Sequence, residues 1–280
     1  MRSLQGLIIA VCAAANLSAQ CSDAGVCALQ RMQSNTGNRV GLTYLLGQSG
    51  KEDDLRIQTL RLEGQFRVWG EAALSISLPF TSVSGPLGSG SGLSDATLVL
   101  DQPLWKSGDL RLAGQIGLRL GTGKSDTKPL LDQRYQPGLG TTDLLLGLRV
   151  SIGQSLEMGV GFQKSGGRND NPITRLERGD DFLLWAEYRR EFGSLRAGVK
   201  ALALKPLGRA TVANSAQPGQ FQEVPNSDQP QLNVVPFAEM PLTEAVALQV
   251  SAALPLLKRD TNVDGLKRSL SVSLGISYRF

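Results

Sequence analysis

The stretch Ser269-Leu270-Ser271-Val272-Ser273-Leu274-Gly275-Ile276-Ser277-Tyr278-Arg279-Phe280 alternates without a break. Leu270, Val272, Leu274, Ile276, Tyr278 and Phe280 share one parity; Ser269, Ser271, Ser273, Gly275, Ser277 and Arg279 share the other. Successive side chains of a strand point to opposite faces, so this segment is a strand with one apolar and one polar face. It is long enough to cross a bilayer at a tilt. An edge strand of a soluble sandwich would read the same way in isolation, so the choice rests on the rest of the chain.

The same parity recurs upstream. Over 57–69, Leu60, Leu62, Gly64, Phe66 and Val68 oppose Thr59, Arg61, Glu63, Gln65 and Arg67. Over 110–120, Leu110, Leu112, Gly114, Ile116, Leu118 and Leu120 oppose Arg111, Ala113, Gln115, Gly117 and Arg119. Over 143–152, Leu144, Leu146, Leu148, Val150 and Ile152 oppose Asp143, Leu145, Gly147, Arg149 and Ser151. Leu156, Met158, Val160 and Phe162 oppose Glu157, Gly159, Gly161 and Gln163. Weaker versions cover 39–48, 73–80, 93–105, 181–190, 194–205, 232–242 and 245–255. Pro236 has no N–H to give a ladder, so a bulge or irregularity is expected near it.

These segments predict an all-β transmembrane antiparallel up-and-down barrel of about twelve strands, an even number as such barrels require. No charge falls on the apolar parity of the clear strands, where an Arg or Lys at mid-depth in lipid would cost about 2–4 kcal/mol. Connections alternate in length. Short ones lie near Gly70, 106–109, 153–154, 192–193 and 243–244; long ones cover 49–55, 81–92, 121–142, 165–179, 206–231 and 256–268. Short periplasmic turns and long extracellular loops sort in this way. The long loops are rich in Gly, Ser, Asn, Asp and Pro, which favours turns and flexible connections. The longest polar one, 206–231, is the candidate plug. Tyr188, Phe192, Tyr278 and Phe280 share the apolar parity near the short-turn ends, as an interfacial girdle would. Trp69, Trp105 and Trp185 have the opposite parity; the first two sit at turns, and Trp185 fits only if it packs inside the lumen.

The chain opens with Arg2, the apolar run 7–15 and small residues before a cut after Ala19, which reads as a secretory signal peptide over 1–19. Residues 20–38 then form a periplasmic segment carrying Cys21 and Cys27, and 39–280 form the barrel. The Cys pair in an exported chain favours a disulfide that shapes a periplasmic tip. A soft metal ion on two thiolates, or lipidation at Cys21, are the alternatives, though Gln20 stands where a lipobox wants Gly or Ala.

Among 280 residues there is no histidine, which removes Ser-His-Asp hydrolysis and His-ligated metal chemistry. Carboxylate-pair or Ser-Lys enzymes remain open in principle, without a convincing constellation, so the reading is non-enzymatic with no cofactor and no metal. The formal charge of +4 is too small and too dispersed to argue nucleic-acid binding. Gly121-Thr122-Gly123-Lys124-Ser125 imitates the end of a phosphate-binding loop, but Leu118 stands where the first Gly belongs and 127–129 starts no helix.

The final strand resembles the C-terminal strand of bacterial outer-membrane barrels, which implies that Phe280 belongs to the signal read by the insertion machinery. Three further stretches carry a second resemblance: Gly92-Leu93-Ser94-Asp95-Ala96-Thr97-Leu98, Thr122-Gly123-Lys124-Ser125, and Tyr135-Gln136-Pro137-Gly138-Leu139-Gly140-Thr141-Thr142-Asp143. Over residues 40–280 the chain resembles the outer-membrane transporters grouped as the MetA-pathway of phenol degradation family. The resemblance implies a barrel that carries small, often hydrophobic or aromatic, compounds. The Cys-flanked start and Gly121, where that family often has Pro, depart from its pattern.

The inward parity holds Arg61, Glu63, Arg67, Arg111, Arg119, Asp143, Arg149, Glu157, Glu187, Arg196 and Lys200 as candidate pore-lining residues. They either set selectivity by charge and size or pair across strands and fill a narrow lumen. If the lumen conducts, the basic excess predicts mild anion preference. The expected partners are outer-membrane lipid of a Gram-negative bacterium, the barrel insertion machinery, a small solute, and a periplasmic protein met through Cys21 and Cys27. A structural or partner-binding barrel with a closed lumen is the alternative function.

Overall fold

The alternating segments become strands because each can satisfy its backbone only through a neighbour and bury only one of its faces. In the computed structural model, which describes residues 27–29 and 37–280, fifteen strands form. They are β1 (Arg39–Gln48), β2 (Arg56–Trp69), β3 (Ala72–Gly85), β4 (Gly88–Leu93), β5 (Ala96–Ser107), β6 (Leu110–Leu120), β7 (Asp143–Ile152), β8 (Leu156–Lys164), β9 (Asp181–Phe192), β10 (Leu195–Pro206), β11 (Thr211–Ala213), β12 (Phe221–Glu223), β13 (Gln231–Pro241), β14 (Val246–Leu257) and β15 (Leu270–Arg279). Twelve of them run antiparallel around a closed barrel in chain order, and β15 pairs with β1 to complete it. Closure leaves no edge strand in the wall.

The closing register sets Leu42 opposite Ile276, Tyr44 opposite Leu274 and Leu46 opposite Val272, all facing outward. The same outward parity holds in β2, β6, β7, β8 and β9, so the apolar faces read from the sequence form one continuous exposed belt. The inward faces are buried and mostly polar or small. Four of the short turns place Gly70, Gly108, Gly153 and Gly193 at positive φ, between 51° and 63°. A side chain there would be strained, and tight hairpins demand that backbone.

Two bulges settle the tryptophans. The β2–β3 register slips between Arg67 and Trp69, and the β5–β6 register slips between Pro103 and Trp105. One extra residue reverses facing, so Trp69 and Trp105 turn outward at the short-turn end, 58% and 52% exposed. The Trp69 indole N–H donates to the Gln102 amide oxygen at 3.1 Å. Both join Tyr188, Phe192, Tyr278 and Phe280, all exposed, and the last two rings stack at 6.0 Å. In β13 the shift falls at Leu232/Asn233, and ladder pairing with β14 lapses at Val235 and Pro236 while pairing with β10 continues through both.

The long connections are more structured than their composition suggests. β3 continues into 81–92 and folds back as β4, extending the wall past the barrel rim. β11 and β12 make a hairpin inside 206–231. Leu139, Leu176, Ala210, Val212 and Val263 bring four separate loops together in one apolar cluster.

Candidate transport lumen

The lumen changes character along its length. Next to the long loops it is filled. Asp264 accepts from Arg259 at 3.1 Å and from the Leu266 N–H at 3.1 Å, and pairs with Arg178 at 3.3 Å. Arg178 also pairs with Asp181. Burial alone would raise the Asp264 carboxyl, but Arg259 and Arg178 outweigh it and hold the group below the usual carboxylate range. Burial likewise works against the Arg178 charge, and Asp181 and Asp264 more than restore it. Asp143 is held by Arg119, by Gln163 and by the Gly166 N–H, and lies buried.

The segments that carry the family resemblance converge here on one carboxylate. Asp95 accepts from the Gly123 N–H at 3.0 Å, the Leu139 N–H at 2.8 Å and the Gly140 N–H at 3.2 Å. A Cβ on Gly123 would lie 2.8 Å from the Asp95 N and from the Gly138 Cα, so only glycine lets the two loops cross. The glycine-rich run does cradle an anion with its backbone, and the anion is the protein's own Asp95.

Below this cap lies an apolar layer. Leu145, Leu183, Leu202, Leu204, Val99 and Trp185 point inward from four strands and are all but inaccessible. Cys27, Ala28 and Leu29 form a short 3-10 turn packed among them. The Leu29 carbonyl accepts from the Gln115 amide at 3.0 Å. Leu266 descends from the 256–268 loop onto the same layer. These three described residues of the N-terminal segment are therefore inside the barrel rather than at a tip. Cys21 and the signal region lie outside the described residues. The plug expected from 206–231 instead forms the β11–β12 hairpin at the loop end, and the apolar layer is reached by Leu266 and the 27–29 turn.

Toward the short turns the lumen opens. A belt of alternating charge runs across β5, β7, β8, β9 and β10. Arg149 bridges Asp101 at 2.8 Å and Glu157 at 3.1 Å. Arg189 bridges Glu157 at 3.3 Å and Glu187 at 2.9 Å, and Lys200 reaches Glu187 at 2.6 Å. On the facing wall Arg61 meets Glu63 at 3.0 Å, and Glu239 gathers Arg196 at 3.6 Å and Arg279 at 3.0 Å. Between the walls is a cavity of about 230 Å³, floored by Gly41, Thr43, Ser251, Ser271, Ser273, Gly275 and Ser277. Small residues on β1, β14 and β15 leave that space.

Of the eleven candidates, Arg61, Glu63, Arg119, Asp143, Arg149, Glu157, Glu187, Arg196 and Lys200 face the barrel interior in ion pairs, Arg119 and Asp143 within the filled loop end. Arg67 and Arg111 are exposed at the short-turn rim. Asp101, Arg189 and Glu239, which share the inward parity, complete the pairs. Asp101 and Glu239 lie in weakly patterned segments, and Arg189 sits beside Arg190 and Glu191, where three successive charges hide the alternation.

No family model matches the chain, and no curated protein matches it by sequence. Solved structures do match the fold. An outer-membrane channel from Pseudomonas putida F1 is similar at TM-score 0.61 and 16% identity, covering 88% of this chain and 96% of that one. The NanC porin is similar at TM-score 0.52 and 10% identity, covering 87% of this chain and all of that one. At such identities the likeness is one of fold: a closed twelve-stranded antiparallel barrel.

Proposed function

We propose that the protein is an outer-membrane channel or transporter for passive passage of small solutes, with hydrophobic or aromatic compounds as the solute class. The carrying observation is the pairing of two surfaces: an unbroken exposed apolar belt outside and a charge-lined hollow inside. An apolar belt around a closed barrel needs an apolar solvent, and the hollow gives that barrel an aqueous entrance. The two neighbours are named as a channel and a porin, which supports the same reading. The solute class rests on the resemblance to the MetA-pathway family. Export through a cleaved 1–19 signal, a Gram-negative outer membrane, insertion read from Phe280 and a Cys21–Cys27 disulfide belong to this proposal.

The test is single-channel recording of the refolded mature chain in a planar bilayer, with and without residues up to Leu29. Discrete current steps, larger after the deletion, support the channel. Silence from both forms, each shown folded and inserted, rejects it. The second reading, a closed barrel with a structural or partner-binding role, then takes its place; the apolar layer across the lumen favours it. Retention of a periplasmic protein by the full chain and its loss on deleting Cys21 through Cys27 would support that role.

A further inference from the structure

The seat of Leu29 has features that a purely structural contact does not need. The lumenal face of the wall from β6 to β8 carries glycine at Gly117, Gly147, Gly159 and Gly161, so other side chains pack directly on its backbone and would have to leave for the space to open as a hollow. A Cβ on Gly147 would sit 3.2 Å from the Leu29 Cδ1, and one on Gly159 would sit 2.8 Å from the Trp185 ring. Leu29 fills one part of the hollow and the indole overlies another. Two polar atoms there have no partner: the Trp185 indole N–H and the Gln115 amide oxygen, on side chains 1% and 5% exposed. Gln115 uses its amide nitrogen twice, toward the Leu29 carbonyl and toward Asp101, each at 3.0 Å. Unmet polar groups at such depth carry a desolvation cost that a ligand could relieve.

From this arrangement we infer that the hollow is a solute-binding site which the 27–29 turn occupies in the ligand's absence. The solute is a compact, uncharged, flat apolar molecule bearing a carbonyl or hydroxyl oxygen and an N–H or O–H donor. Its body takes the place of the Leu29 side chain against Gly147. Its oxygen accepts from the Gln115 amide nitrogen, replacing the Leu29 carbonyl, and its donor meets the Gln115 amide oxygen. The Trp185 N–H stands ready for a second acceptor. A charged molecule fits poorly, because Leu145, Leu183 and Val99 wall the seat. This inference rests on the channel reading for its meaning, as a station on a path, and not for its chemistry.

Benzamide is the probe, since it carries a ring, an acceptor and a donor; toluene, which has only the ring, is the control. Binding to the full mature chain in one detergent is followed by titration calorimetry, with unboiled electrophoretic mobility as the folding check. Leu29→Asp expels the turn from an apolar seat. Burial of a leucine corresponds to roughly a ten- to hundredfold equilibrium factor, so benzamide should bind tighter by about that much when self-competition ends. In that background Gln115→Met should weaken benzamide roughly three- to tenfold and leave toluene unchanged. Trp185→Phe, which keeps a ring and removes the donor, gives an independent second variant for barrels in which Gln115→Met fails to fold. Unchanged benzamide affinity in folded Leu29→Asp, or equal losses for benzamide and toluene on removing the polar groups, overturns the inference. A folded Leu29→Asp barrel that binds benzamide but passes no current keeps the site and rejects the channel. One that conducts without binding benzamide does the reverse.

Discussion

The two ends of this barrel use the same residue types to opposite effect. At the long-loop end two buried carboxylates are over-supplied: Asp264 has two guanidiniums and a backbone N–H, and Asp95 has three backbone N–H groups. At the short-turn end Arg149 and Asp101 are dry as well, but the other charges pair along the wall around a cavity, and Glu63, Arg196 and Arg279 remain 30%, 25% and 42% exposed. Dry charge is tolerable only when its hydrogen-bonding capacity is met, and such clusters lock the chain segments that bring their members together. Wet charge is bound loosely and stays available to a passing ion. Closure and conduction therefore differ less in composition than in solvation.

The largest expected effect tests the locking half of that contrast. Asp264→Ala leaves Arg178 and Arg259 buried beside a lost partner, which should loosen the loop cap by about 3–5 kcal/mol. Hydrogen exchange in 165–180 and 256–268 should rise, while the turns near Gly108 and Gly193 should not change. Equal acceleration at both ends would break the distinction. A smaller effect is expected from Gly123→Ala, whose Cβ would collide with the Asp95 backbone and Gly138. Overpacking of this kind costs about 1–3 kcal/mol, and it should splay the two glycine loops without reaching the short turns. Limited proteolysis within 121–142 reads it directly.

Acid should act on the same end. The Asp264 carboxyl lies below its unfolded value, so its contribution is fully present above about pH 4 and is lost as pH falls through the folded value. Protease sensitivity of 256–268 should therefore increase below about pH 4 and recover on return to neutrality. An Asp264→Asn barrel should lose most of that dependence. If it retains the full transition, another carboxylate governs the cap.

The wall was legible because a period of two is a local property, visible in 110–120 or 269–280 without knowing any neighbour. That is why the strand count, the facing of Leu274 and Ser273, and the lumenal place of Arg149 and Glu157 could all be read. Trp69 and Trp105 resisted because a bulge reverses parity, and a bulge is set by pairing with another strand. The filling of the lumen was the least legible part. Asp95, Gly123 and Gly138 stand out as motif residues, yet that they touch is a matter of loops meeting in space. The turn at Cys27–Leu29 reads as part of a periplasmic segment with a Cys pair, and nothing in its own composition places it against Trp185. Contacts made across the barrel leave no periodic trace in the chain.

The smallest predicted effect tests the conducting half of the contrast. Five cations, Arg39, Arg61, Arg189, Arg196 and Lys200, line the short-turn cavity with four carboxylates, Glu63, Glu157, Glu187 and Glu239. Because most of them neutralise one another at close range, the residual field is weak, and anion preference in a salt gradient should be slight. Lys200→Glu reverses the balance to four against five and removes the cation nearest Glu187. The reversal potential should then change sign while conductance stays similar, since the side chain lengths are comparable. A wild-type barrel that prefers cations would mean that the carboxylates dominate despite their pairing. A potential that ignores the substitution would place selectivity above the apolar layer, where Arg119 and Asp143 leave no free path, and would make the loop cap the conducting element instead of the lock.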